Sequence, residues 1–137
     1  MGGKMRRAFT LIELMLVVII IGILSAMVVP RLAGRSEQAR IQAAKADINS
    51  SLPLALDLYE MDIGKYPESL DYLRVRPPGS EAQNWRGPYL KKKPLDPWGR
   101  PYMYKSPGEH NTESYDLYST GSDGQANTAD DVVNWGE

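Results

Sequence analysis

The sequence contains no cysteine and only one histidine among its 137 residues. Without cysteine the chain has neither a disulfide framework nor a thiolate nucleophile, and a cysteine-based zinc site is excluded. The single histidine, His110, follows Pro107, Gly108 and Glu109, a turn context that favours an exposed loop residue over a catalytic base. Catalysis by a Ser/His/Asp arrangement is therefore poorly supported.

The sequence also has no excess of positive or negative charge. The 16 basic and 17 acidic residues give a net charge of -1, so we expect no nucleic-acid partner. Apolar residues make up 42% of the chain, enough for one small domain, but their distribution is uneven. No charged residue occurs from Leu14 to Val29, which predicts a hydrophobic stalk carrying a polar head.

The stalk begins with a short basic leader, residues 1–8, followed by an apolar run from Phe9 to Val29 that only Glu13 interrupts. As a helix this run is about 32 Å long, close to the roughly 30 Å hydrocarbon core of a bilayer. The positive-inside rule keeps the leader in the cytoplasm and places the residues after Pro30 across the membrane. Three residues supply the leader's charge: Lys4, Arg6 and Arg7.

A secretory signal peptide is one alternative, because Ser25 and Ala26 near the end of the run could form a cleavage site. Glu13 argues against it, since a lone carboxylate within a membrane costs roughly 2.5 to 3.5 kcal/mol. Such a group usually has a partner, and we expect the partner of Glu13 to lie outside its own helix. A plain signal anchor that tolerates Glu13 is the other alternative.

Residues 7–13, with the sequence RAFTLIE, resemble the type IV prepilin signature. The resemblance implies that a membrane peptidase cuts between Ala8 and Phe9, that Phe9 is then N-methylated, and that the helix stays in the mature protein. It also implies that Glu13 neutralises the amine of Phe9 on a neighbouring subunit. Breaking such a buried pair costs about 3 to 5 kcal/mol, so we hypothesise that it sets subunit order. Ala8 departs from the glycine usual before the cut.

Beyond Pro30, apolar residues at spacings of three and four predict an amphipathic helix over about residues 36–62. Pro53 predicts a kink or break near Asn49 to Leu52. Gly22 and Pro30 predict a kink or local melting, with a helix end at Pro30 as the alternative.

The rest of the head predicts short elements. A helical turn is expected at Glu68 to Leu73, an exposed loop at Pro77 to Ser80, and strands at Pro101 to Ser106 and Tyr115 to Ser119. The predicted fold class is α+β: a long N-terminal helix, half membrane-spanning and half amphipathic, packed on a small antiparallel sheet. The predicted organisation is a leader at 1–8, a membrane helix at 9–30 and a periplasmic head at 31–137.

The final acidic loop brings Asp123, Asp130 and Asp131 together in sequence. Carboxylate oxygens in a flexible loop favour calcium over magnesium, although the EF-hand pattern does not fit. From spacing alone, a solvated acidic turn is favoured over a metal site.

Several head motifs resemble the major pseudopilins of type II secretion systems: Lys65 to Pro67, Gly87 to Leu90, Asp96 to Gly99 with Pro101 and Tyr102, and Ser106 to Gly108. The resemblance implies a calcium site in the acidic loop. Its implied ligands are the side chains of Asp123, Asp130 and Asp131 and the backbone carbonyls of Thr120 and Thr128.

The resemblance also implies a non-catalytic inner-membrane subunit that polymerises into a periplasmic filament and promotes export of folded proteins across the outer membrane. Its implied partners are other copies of the chain, minor pseudopilins, a prepilin peptidase and an inner-membrane assembly platform. One alternative is a type IV pilus subunit for adhesion, motility or DNA uptake, which would usually carry a C-terminal cysteine pair. The other is a membrane-anchored periplasmic binding or catalytic domain.

Overall fold

The computed structural model describes residues 2–3 and 7–136, and the chain divides into two units, Met1–Gln38 and Ala39–Glu137. The elements are helix α1 (Leu11–Ala46), a π-helical turn (Asp47–Ser51), helix α2 (Leu52–Ile63), 3-10 turns at Leu70–Leu73 and Gly79–Gln83, and strands β1 (Met103–Lys105), β2 (Asp116–Ser119) and β3 (Val132–Val133).

The first unit consists of the irregular residues before α1 and most of that helix. The window Leu11–Val28 has a mean hydropathy of 2.8, and none of it is buried against the rest of the described structure. By length and composition it is able to cross a membrane. The α-helix continues through Gly22 and past residue 30, so the helix end expected at Pro30 is not observed. The fixed φ of proline is itself compatible with a helix.

The π-helical turn lies where the sequence predicts a disturbance. Pro53 lies in the first turn of α2 and has no N–H to donate to the carbonyl of Asn49. The backbone keeps right-handed helical dihedrals at Ala46, Ser51 and Leu52, so the wider turn absorbs the defect without breaking the helix. The disturbance is confirmed, and its form is a change of hydrogen-bond register.

The core of the second unit lies between the helical segment and the sheet. Residues of the helix spaced three or four apart face strand residues and the first 3-10 turn. Trp98 is partly buried against this core. The buried apolar residues are Ala44, Ile48, Leu52, Ala55, Leu56, Tyr59, Leu70, Leu73, Tyr102, Tyr115, Leu117 and Val132.

Tyrosine hydroxyls reinforce this packing by donating to carboxylates on other elements. A hydrogen bond to a charged acceptor is stronger than a neutral one, which makes these contacts suited to holding the head against its helix. The three shortest such bonds join Tyr89 to Asp62 (2.6 Å), Tyr102 to Asp47 (2.7 Å) and Tyr59 to Glu81 (2.9 Å).

The sheet is antiparallel with strand order β1-β2-β3, and Met103 pairs with Tyr118 while Ser119 pairs with Val132. The α+β prediction and the two predicted strands are confirmed. Strand β3 was missed, because two residues are too few to show an alternating pattern. The loop predicted at Pro77 to Ser80 is only partly exposed: Pro77 is buried, and the 3-10 turn Gly79–Gln83 follows.

Candidate functional site: the processing segment and the acidic loop

The predicted cleavage bond lies in an irregular, exposed stretch, residues 7–10, immediately before α1. Ala8 is exposed and the Phe9 side chain is 83% exposed. A peptidase needs an accessible, non-helical peptide in order to bind a bond for cleavage. The leader charges Lys4 and Arg6 lie outside the described residues.

Glu13 lies in the first turn of α1 and forms a reciprocal pair with Thr10. The Thr10 N–H donates to Glu13 Oε2 at 3.4 Å, and the Glu13 N–H donates to Thr10 Oγ1 at 3.3 Å. This is a capping box, in which each side chain satisfies a helix N–H that has no partner within the helix. The expected pairing of Glu13 with the Phe9 amine of a neighbouring subunit is not tested by a single chain and stays a prediction, and the capping box is an additional local contact. The Thr-x-x-Glu spacing was the signal that could have revealed it.

The acidic loop brings its three aspartates together in space. One carboxylate oxygen from each of Asp123, Asp130 and Asp131 lies within 4.8 Å of the others. Two oxygens bound to one calcium ion, each at 2.3 to 2.6 Å, are at most about 5 Å apart, so the spacing fits that ion. The donors are all hard oxygen atoms, as calcium requires.

Asp130 is the most strongly held of the three. Its carboxylate accepts hydrogen bonds from the Thr128 hydroxyl at 2.7 Å, the Asp123 N–H at 3.0 Å and the Ser122 hydroxyl at 3.0 Å. The Thr128 hydroxyl and then the Asp123 N–H lower the pKa of Asp130 well below its usual range, because they stabilise the charged form. The group therefore presents a carboxylate at any physiological pH.

The two threonines predicted as carbonyl ligands take part in turns of the same loop. The Thr120 carbonyl accepts the Gly124 N–H at 3.2 Å, and the Thr128 carbonyl accepts the Asp131 N–H, also at 3.2 Å. Each carbonyl retains a second lone pair. Sequence reasoning missed the Thr128 hydroxyl, which donates to Asp130 Oδ1 at 2.7 Å and lies 3.2 Å from Asp131 Oδ1.

Buried polar residues behind the loop were also missed. Asp96 is 4% exposed and accepts the backbone N–H groups of Trp98 (3.1 Å) and Arg100 (2.8 Å) and the Ser119 hydroxyl (2.7 Å). The Ser119 hydroxyl in turn accepts the Gly121 N–H at 3.2 Å. The signal in the sequence is an aspartate that begins a Pro- and Gly-containing turn, where its carboxylate can bond to the following N–H groups.

Asp116 organises a second loop. Its buried carboxylate accepts the backbone N–H groups of Glu109 (2.8 Å), His110 (3.0 Å) and Asn111 (2.9 Å). Burial acts to raise the pKa of Asp116, but the N–H groups of Asn111 and His110 outweigh it and lower the pKa to about 2.

His110 is an exposed turn residue, as predicted. Its Nδ1 lies 3.0 Å from Asp116 Oδ2, and its ring stacks on Trp135 with centroids 4.1 Å apart. These contacts give the imidazole a structural role that joins its loop to the C-terminal segment.

Comparison with known proteins assigns the two parts of the chain. Residues 31–135 match the family model described as type II secretion system (T2SS), protein G, and residues 3–29 match that of the prokaryotic N-terminal methylation motif. The head and the stalk are thus recognised separately.

Curated relatives match over almost the whole chain, and each is named type II secretion system core protein G. The Escherichia coli K12 protein is 45% identical, covering 96% of this chain and 92% of its own length. The Vibrio cholerae protein is 44% identical over 96% and 94%, and the Pseudomonas aeruginosa protein 43% identical over 98% and 99%.

A solved structure agrees with these matches. The crystal structure of the major pseudopilin from the type 2 secretion system of enterohaemorrhagic Escherichia coli is similar with a TM-score of 0.64 and 34% identity. The match covers 76% of this chain and 89% of that one. The chain therefore belongs to the type II secretion system protein G family, the major pseudopilins, which are structural subunits and not enzymes.

Proposed function

We propose that this pseudopilin is processed between Ala8 and Phe9, stays in the inner membrane through the apolar half of α1, and holds its head in the periplasm. From there it polymerises into a pseudopilus that promotes export of folded proteins across the outer membrane. The observation that carries the proposal is an accessible Ala8–Phe9 bond followed directly by an exposed apolar helix with Glu13 in its first turn.

The exposed surface of α1 supports polymerisation. Lipid can cover the apolar side chains of Leu11–Val28, but it offers no partner for the charge of Glu13. Cleavage before Phe9 creates an amine in the turn next to Glu13. In a neighbouring copy that amine would pair with the carboxylate, which would exchange the Thr10 N–H for a charged partner.

The proposed partners follow from this pathway. A prepilin peptidase acts first, an inner-membrane assembly platform inserts the processed subunit, and other copies with minor pseudopilins complete the filament. None of these steps requires chemistry from the head itself.

Mass spectrometry of the chain purified from the membrane of a host with a type II secretion system tests the processing step. The expected N-terminus is N-methylated Phe9. An intact N-terminus at Met1 would support an anchored periplasmic domain, and an N-terminus near Ala26 would indicate a secretory signal peptide. A secretion assay then separates a pseudopilin from a type IV pilus subunit, because only loss of the pseudopilin blocks export.

We further propose that the acidic loop binds calcium through Asp123, Asp130 and Asp131, with the carbonyls of Thr120 and Thr128 as additional ligands. The cluster supports this through its spacing and its all-oxygen donors. The ion would hold the loop closed, as a disulfide would in a chain with cysteines.

Thermal unfolding of the full chain in detergent, with calcium and with a chelator, tests this site. Calcium at 100 times its Kd is expected to stabilise the head by about 2.7 kcal/mol. Asp123→Ala should abolish the difference, whereas Glu113→Ala, at an exposed acid outside the cluster, should keep it. Equal melting of the wild-type chain under both conditions would exclude a stabilising ion.

A further inference from the structure

A hydrogen-bond network holds the backbone of Gly121 at both its N–H and its carbonyl. The Gly121 N–H donates to the Ser119 hydroxyl at 3.2 Å, and its carbonyl accepts a hydrogen bond from Arg100 Nη2. Ser119 and Arg100 both donate a hydrogen bond to the carboxylate of Asp96. The Ser119 hydroxyl donates to Asp96 Oδ2, and the Arg100 backbone N–H donates to Asp96 Oδ1. Asp96 thus anchors the two arms that hold Gly121.

The other side of Gly121 faces the acidic cluster. A Cβ built on Gly121 would lie 2.3 Å from the carbonyl oxygen of Asp130 and 2.6 Å from its Oδ2. The placement of the Gly121 backbone therefore sets where Asp130 can lie. One carboxylate oxygen of Asp130 lies within 4.8 Å of one from each of Asp123 and Asp131. The hydrogen-bond network therefore influences the position of the whole cluster through Gly121.

Within this network, Arg100 also contacts the loop beyond Gly121. Its guanidinium also packs against Gly124, where a Cβ would lie 2.8 Å from Nη1. The guanidinium therefore touches both glycines that flank Ser122 and Asp123. Its Nε is buried and has no hydrogen-bond partner in the described part of the chain. Leaving such a donor unpaired is unfavourable.

We propose that Arg100 is a positioning residue of the calcium site, which ties the Gly121–Gly124 turn to the Asp96 anchor and so preorganises the three aspartates. This inference rests on the calcium binding proposed above. A loop that is already ordered loses less conformational freedom when it takes up the ion, and binding is tighter for that reason. Groups that hold ligands from behind typically change metal affinity by about 10- to 100-fold.

The positive charge of Arg100 works in the opposite direction, because it repels a cation. Asp123 is exposed and Asp130 and Asp131 are half-buried, so solvent and salt screen part of that repulsion. The positioning effect of Arg100 acts directly on the backbone beside Asp130. The net effect is therefore tighter calcium binding.

Calcium titration of the full chain in detergent by isothermal calorimetry tests the inference. Arg100→Met removes the donors while keeping most of the side-chain length, and we expect it to weaken the calcium Kd about tenfold. Arg100→Lys keeps the charge and a single donor group. Its calcium Kd should lie between those of the wild type and Arg100→Met. Arg86→Met, at an exposed arginine outside the loop, is the matched control and should leave the Kd unchanged.

Thermal unfolding without calcium shows separately whether each variant still folds. If Arg100→Met does not fold, Arg100→Lys is compared with the wild type instead. A weaker calcium Kd for Arg100→Lys would support the inference, and a Kd equal to that of the wild type would overturn it. A Kd for Arg100→Met equal to or tighter than that of the wild type would overturn the inference and leave the calcium site standing. Absence of calcium binding in the wild-type chain would overturn both.

Discussion

Gly121 lies against Asp130 so closely that a Cβ on the glycine would be 2.3 Å from the Asp130 carbonyl oxygen. Gly121 also has φ of +61°, a left-handed conformation that costs a side chain about 1 to 2 kcal/mol. We expect Gly121→Ala to lose roughly 2 to 4 kcal/mol of head stability, through strain and overlap together. Thermal unfolding of the full chain measures this loss.

Gly64→Ala is the matched control for this change. Gly64 also has a positive φ, of 95°, but a Cβ there would meet no atom within 4 Å in the described part of the chain. It should lose only the conformational cost, about 1 to 2 kcal/mol. Equal losses in the two variants would show that the contact with Asp130 contributes nothing.

Asp116 gives the head a defined response to acid. A carboxyl whose pKa is lowered on folding stabilises the fold above its ordinary pKa, and that stability is lost as the pH falls through the folded value. The window for Asp116 therefore runs from about pH 4 to about pH 2. We expect Asp116→Asn to lose on the order of 2 kcal/mol at pH 7 and to flatten this part of the acid unfolding curve.

Denaturant unfolding at several pH values checks this prediction. Glu113→Gln, an exposed carboxyl three residues earlier, should keep the wild-type acid response. If Asp116→Asn followed the wild-type curve down to pH 2, the three N–H groups around Asp116 would not be the source of its acid sensitivity.

The Tyr102 hydroxyl joins the residue before β1 to the helical segment, because it donates to Asp47 Oδ2 at 2.7 Å at the start of the π-helical turn. Hydrogen bonds to charged groups contribute about 1.5 to 3 kcal/mol. Tyr102→Phe should therefore lose that amount while keeping the ring in the core. Tyr118→Phe is the control, since the Tyr118 hydroxyl bonds to no group in the described part of the chain. Similar melting of the two variants would contradict the role assigned to Asp47.

Glu13 has two roles that mutation can separate. Glu13→Ala removes both the capping box and the proposed partner of the Phe9 amine, whereas Thr10→Ala removes only the capping hydroxyl. We expect Glu13→Ala to prevent filament formation and Thr10→Ala to permit it, because loss of a cap costs only about 1 kcal/mol. Equal assembly by both variants, measured as subunits recovered in sheared filaments, would reduce Glu13 to a helix cap.

The sequence predicted the features that depend on local patterns. The apolar run, the 3.6-residue periodicity and the disturbance by Pro53 are all set by neighbouring residues, and the structure contains each of them. The grouping of Asp123 with Asp130 and Asp131 was accessible for the same reason, since one loop carries all three.

Contacts between distant segments could not be predicted from the sequence. Asp96 and Ser119 are 23 positions apart and meet only because the Asp96 turn packs behind the end of β2. Arg100 reads as a surface charge in the sequence, and only its contact with Gly121, 21 positions away, reveals its place behind the acidic loop. Such pairings follow from tertiary packing, which no local period records.

Polymerisation is the central claim, and electron microscopy of cells that co-express the chain with a type II secretion system tests it most directly. We expect long surface or periplasmic filaments labelled by antibodies against the head when the wild-type chain is overexpressed, and none with Glu13→Ala. Wild-type chain that accumulates in the inner membrane as processed, folded subunits without any labelled filament would contradict it.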